Sequence, residues 1–442
     1  MGETRRAGGA PPRALQIMNV RHRILQALRD ERNLQWLFAA LLLGRLLFPF
    51  FNSPLNHLFS DPGRHWENAE RFLHPGIMGS NDPFFYQLWL HLLQRAAHGD
   101  APTTLLGCGL LCAAMPYGWY RAQRELRPRA SALGGALVIG LIPESISIYA
   151  YFMTETLLLT LLGFCFWLTL RAFRKRSLAA FALACALWVC AAFTRTVAAP
   201  MAIGCVLLLW ATQPGRPARA LVALALAALL AIPAGLHARA NLGFFAPTGN
   251  LYFNEIYHSS GMRDIAVNYG PQGQFRFGSP SFYNPTFYPF SDWTTDRAGT
   301  VAFNIDLSHG RADWIAANAR AAAQRTFPLW RQRREDLLYL LFGQSWPDSD
   351  RATVSGWLTL WTRWLWAPLV LLVAWAALAR RYRGREWLLP ACALGTLALL
   401  ALQSEGVMEA RFRKPVDAIL VCAALLIAGR RQPLGVAVGA AA

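Results

Sequence analysis

The chain has 442 residues, 55% of them hydrophobic and 15% charged, and its 43 Lys and Arg against 25 Asp and Glu give a net charge of +18. That basic excess sits beside long apolar runs, where it serves as topological signal and leaflet anchoring, so the charge excludes nucleic acid as the partner it would otherwise suggest. All eight cysteines (Cys108, Cys112, Cys165, Cys185, Cys190, Cys205, Cys392 and Cys422) fall inside those runs, which favours helix packing over a disulfide framework or a metal site.

Residues 1–33 are rich in Arg and read as a cytoplasmic segment. The first apolar run, Leu34 to Phe51, lacks a small-residue cleavage site and reads as an uncleaved anchor. Nine more runs approach the roughly 20 residues that a helix needs to cross a hydrocarbon core. They are Thr103 to Tyr120, Ala132 to Tyr149, Thr156 to Leu170, Leu178 to Phe193, Val197 to Ala211, Ala220 to Leu236, Trp357 to Leu378, Trp387 to Leu402 and Pro415 to Ala428. Arg121, Arg124, Arg127 and Arg129 follow the second run, and Arg171, Arg174, Lys175 and Arg176 the fourth. Arg216 and Arg219 follow the sixth, Arg380, Arg381, Arg383 and Arg385 the eighth, and Arg430 and Arg431 the tenth. Every even-numbered exit is basic, so these exits and both termini are assigned to the cytoplasm. Nearly all acidic residues then fall on the opposite face. The predicted fold is an all-α polytopic membrane bundle of about ten spans with an inserted mixed outer domain. Its parts are a membrane module at 34–236 with an outer loop at 52–102, the outer domain at 237–355, further spans at 356–429 and a cytoplasmic tail at 430–442.

Arg45 lies near the middle of the first run, where an ionisable residue needs a polar cavity or a partner. Asp417 in the last run, or Glu144 and Glu155 beside the third and fourth, are the candidates for that partner. In the first outer loop, Trp66 to Leu73 and Phe84 to Leu93 repeat apolar residues at helical spacing but are too short to cross, which predicts interfacial helices. They hold Asp61 near the membrane surface, with Arg64 and His65 one turn further on. Asp61 precedes Pro62 and fits a helix start as well as a catalytic base, and the two roles are compatible. Glu144 and Glu155 flank a Tyr-rich turn and either hold a divalent cation with Asp61, orient an acceptor, or are plain turn residues. His65 and His91 match no zinc spacing, and no organic cofactor is expected.

The outer segment at 237–355 is rich in Gly, Pro, Asn and aromatic residues up to Trp293 and then turns helical, with helices predicted at Trp314 to Arg325 and Phe327 to Phe342. Its aromatic residues suit either a small core or sugar stacking, and a lid over the membrane module is the preferred arrangement. Asp348-Ser349-Asp350 imitates the Asp-x-Asp of nucleotide-sugar enzymes but stands on the face where such sugars are absent. Arg195 follows Thr194 at the outer end of the fifth run, and Glu409-Ala410-Arg411-Phe412-Arg413-Lys414-Pro415 precedes the last.

An acidic residue at the start of the first outer loop, followed by juxtamembrane helices, resembles the GT-C superfamily of polytopic glycosyltransferases. These take sugars from polyprenyl-phosphate carriers and include the protein O-mannosyltransferases and lipid A aminoarabinose transferases. Asp61 occupies the acidic position; Pro62 stands where the family's second acid is usual, and Phe412 replaces the Tyr of the Arg-Tyr pair that is usual before the last span. The resemblance implies a bacterial inner-membrane enzyme with its site facing the periplasm and a polyprenyl-phosphate-sugar donor. The acceptor is then a lipid, glycan or protein, and the transfer inverts the anomeric centre. Such a transfer needs a base for the acceptor proton and cations for the departing phosphate. Asp61 is the candidate base, with its proton affinity expected to rise at a partly desolvated boundary. Arg195, Arg411 and Arg413 are candidate phosphate ligands, since guanidinium forks bind phosphate bidentately. A flippase or transporter of lipid-linked sugars is the main alternative. An O-antigen-ligase-like enzyme, echoed by His309-Gly310-Arg311, is a second.

Overall fold

A computed structural model describes residues 30–58, 60–73, 82–212, 214–242, 245, 267–269, 275–277, 291–295, 301–305, 337–338, 340–342, 354–403 and 410–428. All ten apolar runs fall on helices. Helix α1 (Glu31–Phe51) starts at Asp30, whose carboxylate accepts the Arg32 backbone N–H at 2.9 Å. Two short helices follow in the first loop, α2 (Ser60–Glu70) and α3 (Phe84–Ala97). Asp100 caps α4 (Ala101–Arg124) by accepting the Thr103 N–H at 2.9 Å, and these bonds from Thr103 hold its carboxyl below the usual range. Then come α5 (Arg129–Gly140), α6 (Thr154–Lys175), α7 (Leu178–Thr194), α8 (Ala198–Thr212) and α9 (Arg216–Leu242). The last group is α10 (Val354–Thr362), α11 (Trp366–Leu378), α12 (Leu388–Gln403) and α13 (Lys414–Ala428).

Four stretches among the described residues are long and apolar enough to cross a membrane: Glu31–Phe51, Thr154–Lys175, Arg216–Ala240 and Leu360–Leu378. A fifth is broken. The run read as one span from Ala132 to Tyr149 is α5 followed, after a bend of 73°, by the helical stretch Glu144–Ala150, because Pro143 interrupts the backbone ladder. Helices α7 and α8 are apolar but shorter.

Helix α4 lies between α1 and α6, α7 packs on α6, α8 and α9, and α13 is inserted against α5, α6, α11 and α12. Helices α4 and α6 run parallel and touch through backbone at Gly118 and Gly163, where a Cβ on Gly163 would stand 2.9 Å from the Gly118 carbonyl carbon and the Trp119 nitrogen. Below that contact Trp119 stacks on Phe166 (5.5 Å) and Phe166 meets Trp188 edge-on (5.4 Å), with the Trp188 indole donating to Thr169 Oγ1 at 2.8 Å. Leu221, Leu224, Leu229, Leu371 and Leu378 remain exposed on α9 and α11, as side chains facing lipid would.

The expected acidic partner of Arg45 is not what holds it. Its guanidinium is buried and donates to the Cys112 carbonyl (2.9 Å), the Gly140 carbonyl (2.8 Å) and the Ser145 carbonyl (2.7 Å). Two of the three acceptors have a reason to be vacant. Pro116 has no N–H for the carbonyl four residues before it, which is Cys112, and Gly140 is the last residue of α5 before the bend. Arg45 therefore caps two interruptions in neighbouring helices, with the Tyr149 ring 5.4 Å from its guanidinium carbon.

The predicted interfacial helices also differ in detail. Helix α2 begins at Ser60, earlier than the predicted Trp66, and its Trp66 stacks on Phe152 (4.6 Å). Tyr86 and Leu90 of α3 are fully buried with Ala69, Cys108 and Phe152, so the pair packs on the bundle as well as flanking it. In the segment at 237–355 the described backbone includes two antiparallel hairpins. Strand β1 (Val267–Tyr269) pairs with β2 (Phe275–Phe277), and β3 (Ser291–Thr295) with β4 (Val301–Ile305), in register Trp293 opposite Phe303. The predicted helix Trp314 to Arg325, the Asp348-Ser349-Asp350 triplet and His309-Gly310-Arg311 lie outside the described residues.

Candidate functional site

The connectivity sorts the charged residues onto two ends of the bundle. Helices α4 and α6 both start at one end, after Asp100 and Met153, and finish at the other, where Arg174 pairs with Glu125 at 2.8 Å. At that second end arginines cap helix C-termini. Arg219 donates to the carbonyls of Pro214 (2.6 Å) and Arg176 (3.0 Å), and Arg385 to that of Glu125 (2.7 Å). The first end gathers the candidate residues in three adjoining clusters.

Asp61 stands in the first turn of α2, 27% exposed, with Arg64 one turn on at 3.0 Å. Arg64 is held in turn by Asp82, which sits before Pro83 at the start of α3. Asp82 accepts from Arg64 Nη2 (3.0 Å), Asn68 Nδ2 (2.7 Å) and Gln87 Nε2 (3.2 Å), with His65 Nδ1 also 3.2 Å away. Burial alone would push the Asp82 carboxyl up; Arg64, His65 and the hydrogen bonds from His65 and Asn68 outweigh it and hold it below the usual carboxylate range. Asp82 is therefore an ionised, buried anchor for the Asp61–Arg64 pair. Sequence reasoning passed over it, although Asp82-Pro83 repeats the Asp61-Pro62 pattern. Desolvation is also less than expected at Asp61 itself, since more than a quarter of its side chain is open.

The second cluster is at the start of α6. Glu155 is fully buried and forms an ion pair with Arg195, the residue that ends α7, while Thr154 Oγ1 donates to Glu155 Oε2 at 3.0 Å. The Arg195 guanidinium also reaches Thr154 Oγ1 at 3.3 Å and lies 4.8 Å from the centre of the Phe412 ring. Phe412 thus stacks where the resemblance led one to expect a Tyr. Tyr86 of α3 joins this cluster to the first: its buried hydroxyl feels both Glu155 and Asp82, and burial pushes its pKa well above the ordinary range, so it stays protonated.

The third cluster surrounds the bend after α5. Glu144 Oε1 accepts from Thr362 Oγ1 (2.8 Å) and the Trp366 indole (3.3 Å), and Lys414 Nζ donates to the Glu144 carbonyl at 3.2 Å. Arg413 pairs through Nε with Asp417 (2.9 Å), gives Nη1 to the carbonyls of Leu340 (2.8 Å) and Leu341 (3.0 Å), and lies 4.8 Å from the Trp366 ring centre. Glu144 and Glu155 are thus buried and bonded, unlike solvated turn residues, and Asp417 serves Arg413 and not Arg45. Thr362 and Trp366 carry no motif and were not singled out, and Lys414 stood out only as part of the run before the last span. Arg411 lies on the turn Ala410–Arg413, and its side chain is outside the described residues.

Arg195, over the Phe412 ring, and Arg413, over the Trp366 ring, lie at one end of the bundle, and Tyr86 links Glu155, the partner of Arg195, to Asp82, which holds the Arg64 of the Asp61 pair. Among the described residues no three His, Cys, Asp or Glu side chains form a group that could hold a metal ion. His91 Nδ1 meets the Ala69 carbonyl at 2.8 Å. No protein-family model, curated protein or solved structure matches the chain.

Proposed function

We propose that the protein is an integral membrane glycosyltransferase of GT-C type, moving a sugar from a polyprenyl-phosphate donor to a lipid, glycan or protein acceptor at the acid-rich end of its bundle. The observation that carries this reading is the chain Asp61–Arg64–Asp82, in which a part-open carboxylate is aimed by an arginine that a buried, ionised carboxylate fixes. Asp61 removes the proton of the acceptor hydroxyl as its oxygen attacks the anomeric carbon, and the lipid phosphate leaves from the opposite face. That phosphate is a good leaving group and needs cations more than an acid. Arg195 is the better placed of the two described arginines, being 12% exposed, whereas Arg413 is buried with Nε and Nη1 already occupied. By the distribution of arginines the acid-rich end faces the periplasm of a bacterial inner membrane. Transfer from a purified lipid-linked donor tests the reading: Asp61→Asn, still folded, should lose turnover, and unchanged turnover would remove Asp61 from the mechanism.

A second reading, a carrier that moves lipid-linked sugars without consuming them, is favoured by the 73° break after α5, since broken helices line the sites of many transporters. Release of free polyprenyl phosphate on turnover separates the two, because a carrier releases none.

A further inference from the structure

A cavity of about 510 Å³ runs between α8 and α12. One wall is the face of α8 carrying Met201, Gly204 and Leu208, and the other the face of α12 carrying Leu388, Gly395 and Leu399. Nothing lies within 4 Å of where a Cβ would stand on Gly204 or Gly395, so both glycines open onto empty space. From Leu388 to Leu399 the helix rises roughly 16 Å, about one leaflet of a hydrocarbon core some 30 Å thick. The mouth is charged. Arg385 lines it, and Thr212 is shared with a shallow polar hollow that Arg176 and Arg216 border. Both of these arginines are exposed, while Glu386, the nearby carboxylate, accepts the Arg383 backbone N–H at 2.8 Å.

We propose that this groove is a binding site for one anionic phospholipid of the arginine-rich leaflet, with an acyl chain between α8 and α12 and the phosphate against Arg176, Arg216 and Arg385. An apolar slot one leaflet deep takes a chain, and the guanidiniums at its open end take an anion. The inference stands independently of the sugar transfer.

Native mass spectrometry of the delipidated full-length protein in detergent tests it, with dioleoyl-phosphatidylglycerol, dioleoyl-phosphatidylcholine and inorganic phosphate as probes. One phosphatidylglycerol should be retained in preference to phosphatidylcholine. Arg176→Gln with Arg216→Gln should weaken it about fivefold for each arginine removed. Gly204→Leu with Gly395→Leu should fill the slot without displacing a neighbour, abolishing retention by a protein that melts as before. Equal retention of phosphatidylcholine, undiminished phosphatidylglycerol in the filled variant, or no uptake because a segment of the chain already occupies the slot would each overturn the proposal. So would inorganic phosphate competing as well as the lipid, which would mark a bare anion site.

Discussion

Arg45→Met removes the donor for three buried carbonyls, those of Cys112, Gly140 and Ser145. An acceptor left unsatisfied in a dry interior costs about 1–3 kcal/mol. Loss of a desolvated charge offsets part of that sum, leaving an expected destabilisation of about 3–6 kcal/mol. Reversible unfolding in mixed dodecylmaltoside and SDS micelles, followed by tryptophan fluorescence, would report it as a lower SDS midpoint. Pro116→Ala supplies the control, because it restores a backbone N–H four residues after Cys112 and so gives that carbonyl a local partner. In the double variant, the cost of losing Arg45 should fall by about 1 kcal/mol or more relative to the Pro116 background, a coupling that distant sites do not show. If Arg45→Met were as stable as the parent, or the two changes added without coupling, the guanidinium would not be the cap it is described as.

Arg195→Met alone strands the fully buried Glu155 carboxylate and should cost about 3–5 kcal/mol, while Arg195→Met with Glu155→Gln should recover much of it; the same micelle titration reads both. Asp82 has a folded-state carboxyl below its ordinary value of 3.8, so its stabilisation is complete above that pH and is lost as pH falls below it. Unfolding of the α2–α3 pair, followed by Trp66 and Trp89 fluorescence, should therefore show a step on acidification under pH 3.8 in the parent and lack it in Asp82→Asn. Gly163→Val places carbon against the α4 backbone at 2.9 Å and should cost about 3 kcal/mol or more, or prevent assembly altogether, seen as loss of the monodisperse peak in size-exclusion chromatography.

The helices were legible because apolar runs and their basic exits are local signals, and all ten runs fall on helices. The break at Pro143 was visible as a proline within a run, yet that run was read as one span, because hydropathy does not distinguish a straight helix from a bent one. Arg45 shows the limit more sharply. A charge in mid-span announces that a partner exists, but the partners turned out to be carbonyls on α4, on α5 and on the helical stretch after the bend, one of them freed by a proline 71 positions later in the chain. Glu155 and Arg195 were each singled out without being paired, since only the folding of α6 onto α7 brings them together. Asp82 escaped notice because hydrogen bonds from four side chains are a tertiary property. The start of α2 was legible in Asp61-Pro62, which fits a helix start, whereas the apolar spacing marks only its later part from Trp66.

The inserted position of α13 has a bearing on biogenesis. It is the last of the described helices to leave the ribosome, and nearly every side chain from Lys414 to Leu426 is enclosed by helices made before it. Until it arrives, the Glu144 carbonyl has no Lys414, the Arg195 ring partner Phe412 is unmade, and the seam between α5, α6 and α11 is vacant. A chain truncated ahead of residue 414 should therefore leave that seam open, and the bundle closes only once its last described helix is in place.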